Sequence, residues 1–252
     1  MKSHAVIIPT YNERENVDLL VKDIVGLGLD SQVIIVDDNS PDGTGELADR
    51  LANQYPGVHV IHRPGKLGLG TAYIAGFKYG LAHDYERIMT MDADFSHHPS
   101  YIPAMLERSR SETDIVIGSR YVRGGGTHGC TLPRKLLSWG ANAFAKTVLG
   151  LQALDCTAGF RCYRRQVLES IDLDAIVSNG YSFLIEMLYR CQRRGWRVSE
   201  VPILFENRRR GASKISKQEV LRAMQTVLRL GKERALFRGK RDDIVAGKSE
   251  VR

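Results

Sequence analysis

A chain of 252 residues with 43% hydrophobic side chains is long enough for one large α/β core, which excludes a disordered or low-complexity protein. Its 36 Lys and Arg against 29 Asp and Glu, a net charge of +7, favour anionic partners: phosphates, nucleic acid or an anionic membrane surface. Cys130, Cys156, Cys162 and Cys191 form no CxxC pair and have no histidine at zinc-finger spacing, so neither a disulfide framework nor a zinc site is expected, and the thiols read as reduced and cytosolic.

The N-terminal MKSHAVIIPTYNE breaks too early for a signal peptide, and no run approaches the ~20 apolar residues of a spanning helix. Any membrane contact is therefore expected to be peripheral. Ala5 to Ile8 reads as a buried strand, Val17 to Leu27 as a helix with Leu20, Val21, Ile24 and Leu27 on one stripe, and Val33 to Val36 as a second strand. The turn between them, PTYNERE, lacks G-x-G-x-x-G, which argues against a dinucleotide enzyme. The second strand ends in Asp37 to Gly43, at the edge where parallel sheets place ligands. Asp38 is the candidate ligand there, and Asp42 reads as the cap of a helix over Glu46 to Tyr55. Val58 to His62 is a third strand. The glycines of RPGKLGLG after it allow close backbone approach, without the Lys-Ser/Thr ending of a P-loop.

A helix over Thr71 to Ala82 and a strand at Ile88 to Met91 lead into MTMDADFSHHP. Asp92 and Asp94, one residue apart at a strand end, project to one side and suit Mg²⁺ or Mn²⁺, which take one or two carboxylates plus substrate phosphate oxygens. An ordinary Asp-capped loop has the same residues. Beyond it a helix is expected at Ser100 to Arg110, and a strand at Asp114 to Gly118 that delivers Arg120, a candidate phosphate fork. Gly124 to Gly126 read as a flexible loop. Leu132 to Leu151 is helical, with Leu137, Ala141, Phe144, Val148 and Leu151 on one stripe and Arg134, Lys135 and Trp139 near its start, a pattern open to core packing or to a membrane-surface helix. Asp155 to Arg165 reads as an ordered loop entering a strand. A helix over Tyr181 to Arg194 carries Glu186, and Val198 to Phe205 is a last strand. After Arg208 to Lys214 comes an amphipathic helix with Val220, Leu221, Met224, Val227 and Leu228 on one face, then a basic tail expected to be disordered.

The segments PTYNERENV, IIVDDNSPDGT, GKLGLGTAY, MDADFSHHP, IGSRYV, DCTAGFRCYRR, GYSFLIEM and EVPILFENRRRGASK stand in the order and rough spacing of the dolichyl- or polyprenyl-phosphate mannose synthases of glycosyltransferase family 2, which the chain resembles from Ala5 to about Lys232. The resemblance implies an α/β GT-A fold, a mostly parallel central sheet flanked by helices in a single domain over 1–232 with a C-terminal amphipathic helix, before a basic tail at 233–252. It implies a GDP-mannose donor, Mg²⁺ or Mn²⁺, a dolichyl or polyprenyl phosphate acceptor, and a cytoplasmic protein peripheral at the membrane's cytoplasmic face or held there by a separate membrane protein. Carried over by position, Pro9, Tyr11, Glu13, Val36 and Asp38 would surround base and ribose. Asp92, Ala93 and Asp94 would hold metal and diphosphate, Arg120 would face the sugar or acceptor phosphate, and Arg208 and Lys214 would close over the diphosphate. Arg134 fits a second basic contact for the lipid phosphate. Some members carry Gln where this chain has Ser96, which leaves the third metal position to Ser96 or to water.

The acceptor phosphate is ionised near neutral pH and needs alignment and charge relief rather than a general base, so none is assigned, and Glu186 is read as structural or sugar-contacting. A DxD phosphohydrolase would carry its motif after the first strand, not after three earlier ones. A nucleic-acid module is motivated by Arg208 to Arg210 but lacks a recognised motif, so no nucleic-acid partner is expected. A transferase using UDP-glucose or another nucleotide sugar would share the metal and diphosphate contacts and is the serious alternative.

Overall fold

The computed structural model describes residues 2–207 and 217–249. Alternation along the strands generates the layers. On β1 (Lys2–Thr10) and β2 (Gln32–Asp37), Val6, Ile8, Val33 and Ile35 enter one core, while Ala5, Ile7, Ile34 and Val36 enter another on the opposite face. Strands buried on both faces read as continuous apolar runs, as these do. The first core takes α1 (Arg14–Gly26), α2 (Thr44–Gln54) and α4 (Ile102–Arg110); the second takes α3 (Leu69–Ala82), α5 (Leu132–Leu149), α7 (Tyr181–Arg193) and α8 (Lys217–Ser249).

The remaining strands are β3 (Val58–His62), β4 (Tyr85–Thr90), β5 (Ile115–Ser119), β6 (Gly126–His128), β7 (Arg161–Arg164), β8 (Val198–Pro202) and β9 (Leu204–Glu206), with a short α6 (Arg165–Glu169). The main sheet runs β3-β2-β1-β4-β7-β5-β8, parallel throughout except for β7, which lies antiparallel between β4 and β5. Met89 and Val116 both pair with Cys162. That inversion brings the start of β7, and the loop before it, to the edge where the parallel strands end.

Three segments differ from their sequence reading. The strand expected over Val198 to Phe205 divides at Ile203, which is buried, and its second part, β9, pairs with β6, so Gly126 of the expected flexible loop is a strand residue. A Cβ on the neighbouring Gly125 would lie 2.5 Å from the Ser119 carbonyl oxygen, a contact only glycine avoids. Secondly, the stripe read along α5 is divided. Ala145, Leu149 and Leu151 are buried, whereas Leu132, Leu136, Leu137 and Trp139 at its start are exposed. Thirdly, α8 is helical through 233–249, where a disordered tail was expected. Of the face read on α8, Val227 packs in the core with Leu230 while Leu221, Met224 and Leu228 are exposed.

The joint between α7 and α8 is ionic. Glu186 is fully buried and pairs with Arg190 at 2.6 Å and Arg229 at 2.7 Å, and Ser178 also donates to it. Burial by itself would raise its pKa; the Ser178 and Arg190 hydrogen bonds and the Arg229 charge outweigh that and hold the carboxyl below its ordinary 4.5. Glu186 is thus a structural side chain. A lowered folded pKa means stability present above the unfolded value and lost as pH falls through the folded one. Glu186→Gln is expected to cost about 2 kcal/mol near neutral pH, its partners being partly exposed. Thermal unfolding across pH should show the deficit relative to wild type shrinking below about 4.5.

Candidate active site

The carboxyl ends of β1 to β5 converge on one edge of the sheet, where side chains rather than glycines tie the turns together. Asn12 N–H donates to Ser40 Oγ at 3.1 Å and Glu13 N–H to Thr44 Oγ1 at 3.0 Å. Asp42 accepts from Arg14 N–H at 3.2 Å and Thr44 N–H at 3.0 Å, so it caps two helices, in keeping with its reading as a cap. Asn12 and Asn39 have φ of +58° and +56°, tolerable for asparagine.

Asp38 is buried at this edge. It pairs with Arg63 at 2.9 Å and accepts from Leu67 N–H at 3.1 Å and Gly68 N–H at 3.3 Å. Burial raises its pKa against the opposing pull of Arg63 and those N–H groups. Asp38 therefore organises the glycine loop. Asn179, which the sequence reading passed over, grips the loop's other side: its Oδ1 accepts from Gly70 N–H at 2.9 Å and its Nδ2 donates to the Leu67 carbonyl at 3.2 Å. Gly68 has φ +98°, and a Cβ there would meet Asn179 at 2.1 Å. Lys66 Nζ lies 4.3 Å from the centre of the Tyr11 ring, so the loop borders the turn after β1. Pro9 is half-buried in β1, paired in register with Val36. The Val36 side chain is fully buried in the core because β2 is covered on both faces.

The aspartates follow β4. Asp92 is one-third exposed, and its Oδ1 accepts from the Tyr73 hydroxyl at 3.1 Å. Asp94 is buried and accepts from Ser96 N–H at 3.0 Å across Phe95, whose φ of +59° is strained for a bulky side chain. Buried His97 places Nδ1 3.7 Å from Asp92 Oδ2. Burial lowers the His97 pKa although Asp92 and Asp94 both act to raise it, so the ring is neutral at pH 7. Ala93 and Ser96 are buried beside the pair. Among the described residues no cluster of three His, Cys, Asp or Glu side chains could hold a metal. Two hard carboxylates without a third such ligand fit a hard divalent cation completed by substrate oxygens and water, and do not fit an all-protein cage.

Arg120 extends from the end of β5, but its fork is engaged. Nε and Nη2 each donate to Asp155 at 2.7 Å, Nη2 also reaches Thr157 Oγ1 at 2.8 Å, and the Arg120 N–H donates to the same carboxylate at 3.1 Å. Asp155 is fully buried, and a buried carboxylate demands such a partner. Burial would raise its pKa; the Arg120 hydrogen bonds and charge prevail and lower it. Through these bonds Arg120 clamps the loop before β7. Arg161, itself fully buried, holds the same loop by donating to the Cys156 and Ala158 carbonyls at 2.8 Å each. Arg134, on the first turn of α5, donates to Asn207 Oδ1 at 2.8 Å. Among the described residues no carboxylate pairs with this guanidinium. Arg208 and Lys214, with the segment between them, lie outside the described residues.

This sheet edge brings together two carboxylates and a glycine loop gripped from both sides, with Arg120 and Arg134 bordering them, and the fold is that of the GT-A glycosyltransferases. Residues 5–172 match glycosyl transferase family 2. The chain is 48% identical over 225 residues to the undecaprenyl-phosphate mannosyltransferase of Micrococcus luteus, covering 89% of this chain and 92% of that one. It is 47% identical over 227 residues to the polyprenol monophosphomannose synthase of Mycolicibacterium smegmatis, covering 90% and 86%. The chain belongs to glycosyl transferase family 2. Among solved structures it resembles glucosyl-3-phosphoglycerate synthase from Mycobacterium tuberculosis, in complex with Mn²⁺, UDP and glucosyl-3-phosphoglycerate, with TM-score 0.69 at 19% identity over 92% of this chain and 80% of that one. A mannosyltransferase from Pyrobaculum calidifontis in complex with GDP-Man and Mn²⁺ superposes with TM-score 0.53 at 15% identity over 90% and 73%. At these identities the structures bear on the fold alone.

Proposed function

We propose that this protein transfers mannose from GDP-mannose to a polyprenyl monophosphate such as dolichyl phosphate, with inversion at the anomeric carbon. The observation that carries the reading is likeness near 48% along almost the whole of two chains named for mannose transfer to polyprenyl carriers. In this reading the turn at Tyr11 and Glu13, with Pro9 beneath it, and the Asp38-organised loop border base and ribose. Asp92 and Asp94 hold Mg²⁺ or Mn²⁺ against the diphosphate, with Ala93 supplying backbone and Ser96 or water the next position. The cation supplies charge relief to the departing nucleoside diphosphate. Arg208 and Lys214 close over that diphosphate. Arg134 draws in the acceptor phosphate, and Arg120 presents the Nη1 edge that its bonds to Asp155 and Thr157 leave over. The acceptor oxygen attacks as the ionised phosphate, so no side chain has to take a proton.

No helix among the described residues is long and apolar enough to cross a membrane. The exposed apolar residues at the start of α5 and along α8, with Arg134, Lys135 and Arg222 beside them in sequence, suit peripheral contact with the cytoplasmic face of a membrane, directly or through a separate membrane protein.

The test is transfer of labelled sugar from GDP-mannose and, in parallel, UDP-glucose to a short polyprenyl phosphate, with Mg²⁺, Mn²⁺ or EDTA. Mannose labelling of the lipid that EDTA abolishes is the expected result. Labelling from UDP-glucose alone would move the donor assignment, and no transfer from either would overturn the reading.

A further inference from the structure

Tyr73 sits in the GTAY stretch that opens α3, and the transfer chemistry makes no use of it. Its side chain is fully buried, yet its hydroxyl ends 3.1 Å from Asp92 Oδ1. The ring is fixed independently of that bond: it stacks on Phe77 and Phe183 at centroid separations of 6.3 Å and 5.9 Å. A hydroxyl delivered by a locked aromatic ring holds a carboxylate in one rotamer. Gly159 closes the same corner, since a Cβ there would stand 3.3 Å from Asp92 Oδ1 and 3.4 Å from the Tyr73 hydroxyl. Asp92 is one-third exposed at this point, and its Oδ2 lies 3.7 Å from His97 Nδ1.

We infer that Tyr73 is a positioning residue for the cation: by engaging Asp92 Oδ1 it fixes the rotamer in which the carboxylate would meet the divalent ion and the donor diphosphate. The inference rests on the functional reading above, in that the ion is taken to lie between Asp92, Asp94 and a diphosphate. Outer hydrogen bonds to ligating carboxylates commonly govern metal affinity 10- to 100-fold, and a structure-wide role would not show that signature, because Phe keeps the ring, its stacking and the volume.

The experiment measures Mn²⁺ binding to the full chain in the presence of saturating GDP, by the electron paramagnetic resonance signal of free Mn²⁺, for wild type, Tyr73→Phe and Gly159→Ala. Tyr73→Phe is expected to raise the Mn²⁺ dissociation constant by about 10-fold or more, to need correspondingly more metal for half-maximal transfer, and to regain wild-type kcat within about 2-fold at saturating metal. Gly159→Ala, which keeps the hydroxyl but crowds the pair, is expected to raise the constant by less, and stands in if Tyr73→Phe fails to fold. An unchanged constant in both variants, or a loss of kcat that excess metal does not restore, overturns the inference while leaving the functional reading intact. A wild-type chain that binds no Mn²⁺ with GDP overturns both.

Discussion

Asp94→Asn is expected to lower sugar transfer by about 10³-fold at unchanged protein stability. The substitution keeps the volume and the Oδ1 acceptor that receives Ser96 N–H at 3.0 Å across the strained Phe95; it removes the charge and exchanges the second acceptor oxygen for an NH2 donor. A buried residue without that charge no longer neutralises a divalent ion, and several kcal/mol of transition-state stabilisation correspond to rate losses of about this size. Steady-state transfer from GDP-mannose at saturating metal, beside a thermal unfolding curve, checks it. Activity within about 10-fold of wild type would show that Asp94 serves the loop alone, as a cap after β4. Asp92→Asn, at the partly exposed position, should behave similarly.

Asp155→Ala is expected to cost about 3–5 kcal/mol of folding stability, the amount typical of leaving one member of a buried ion pair alone. For a chain of this size that is a fall of about 10 °C in Tm. Arg120 would lose two charge-assisted bonds and keep only Thr157, while its side chain is 13% exposed and too enclosed for water to replace the carboxylate. Transfer should fall as well, since the loop from Asp155 to Phe160 runs to the start of β7 at the site edge. Asp155→Asn retains an acceptor and should cost less. Calorimetry of the three proteins decides it: equal Tm values for wild type and Asp155→Ala would mean that Arg120 finds its partner elsewhere.

Much of the candidate site was legible in the sequence because it is local. Asp92 and Asp94 are one residue apart after an apolar strand, Asp42 caps what immediately follows it, and β3 has the predicted span Val58–His62. Pattern and turn chemistry act over a few residues, and a strand covered on both faces announces itself by composition alone. The eight segments that resemble glycosyltransferase family 2 carried the fold and the class of reaction in the same way.

What tertiary structure decided is which of these local pieces meet, and therefore which charges are free. Arg120 and Asp155 are 35 positions apart, Tyr73 and Asp92 are 19, and the glycine loop and Asn179 are 109. Nothing in periodicity distinguishes an arginine that faces a phosphate from one that neutralises a buried carboxylate; the distinction arises only when β7 inserts antiparallel between β4 and β5 and brings its preceding loop to the site edge. The same holds for the stripes of α5 and α8. Their apolar residues recur at helical spacing throughout, but only part of each helix has a neighbour to cover it, because burial is a property of what packs against a surface and not of the surface itself.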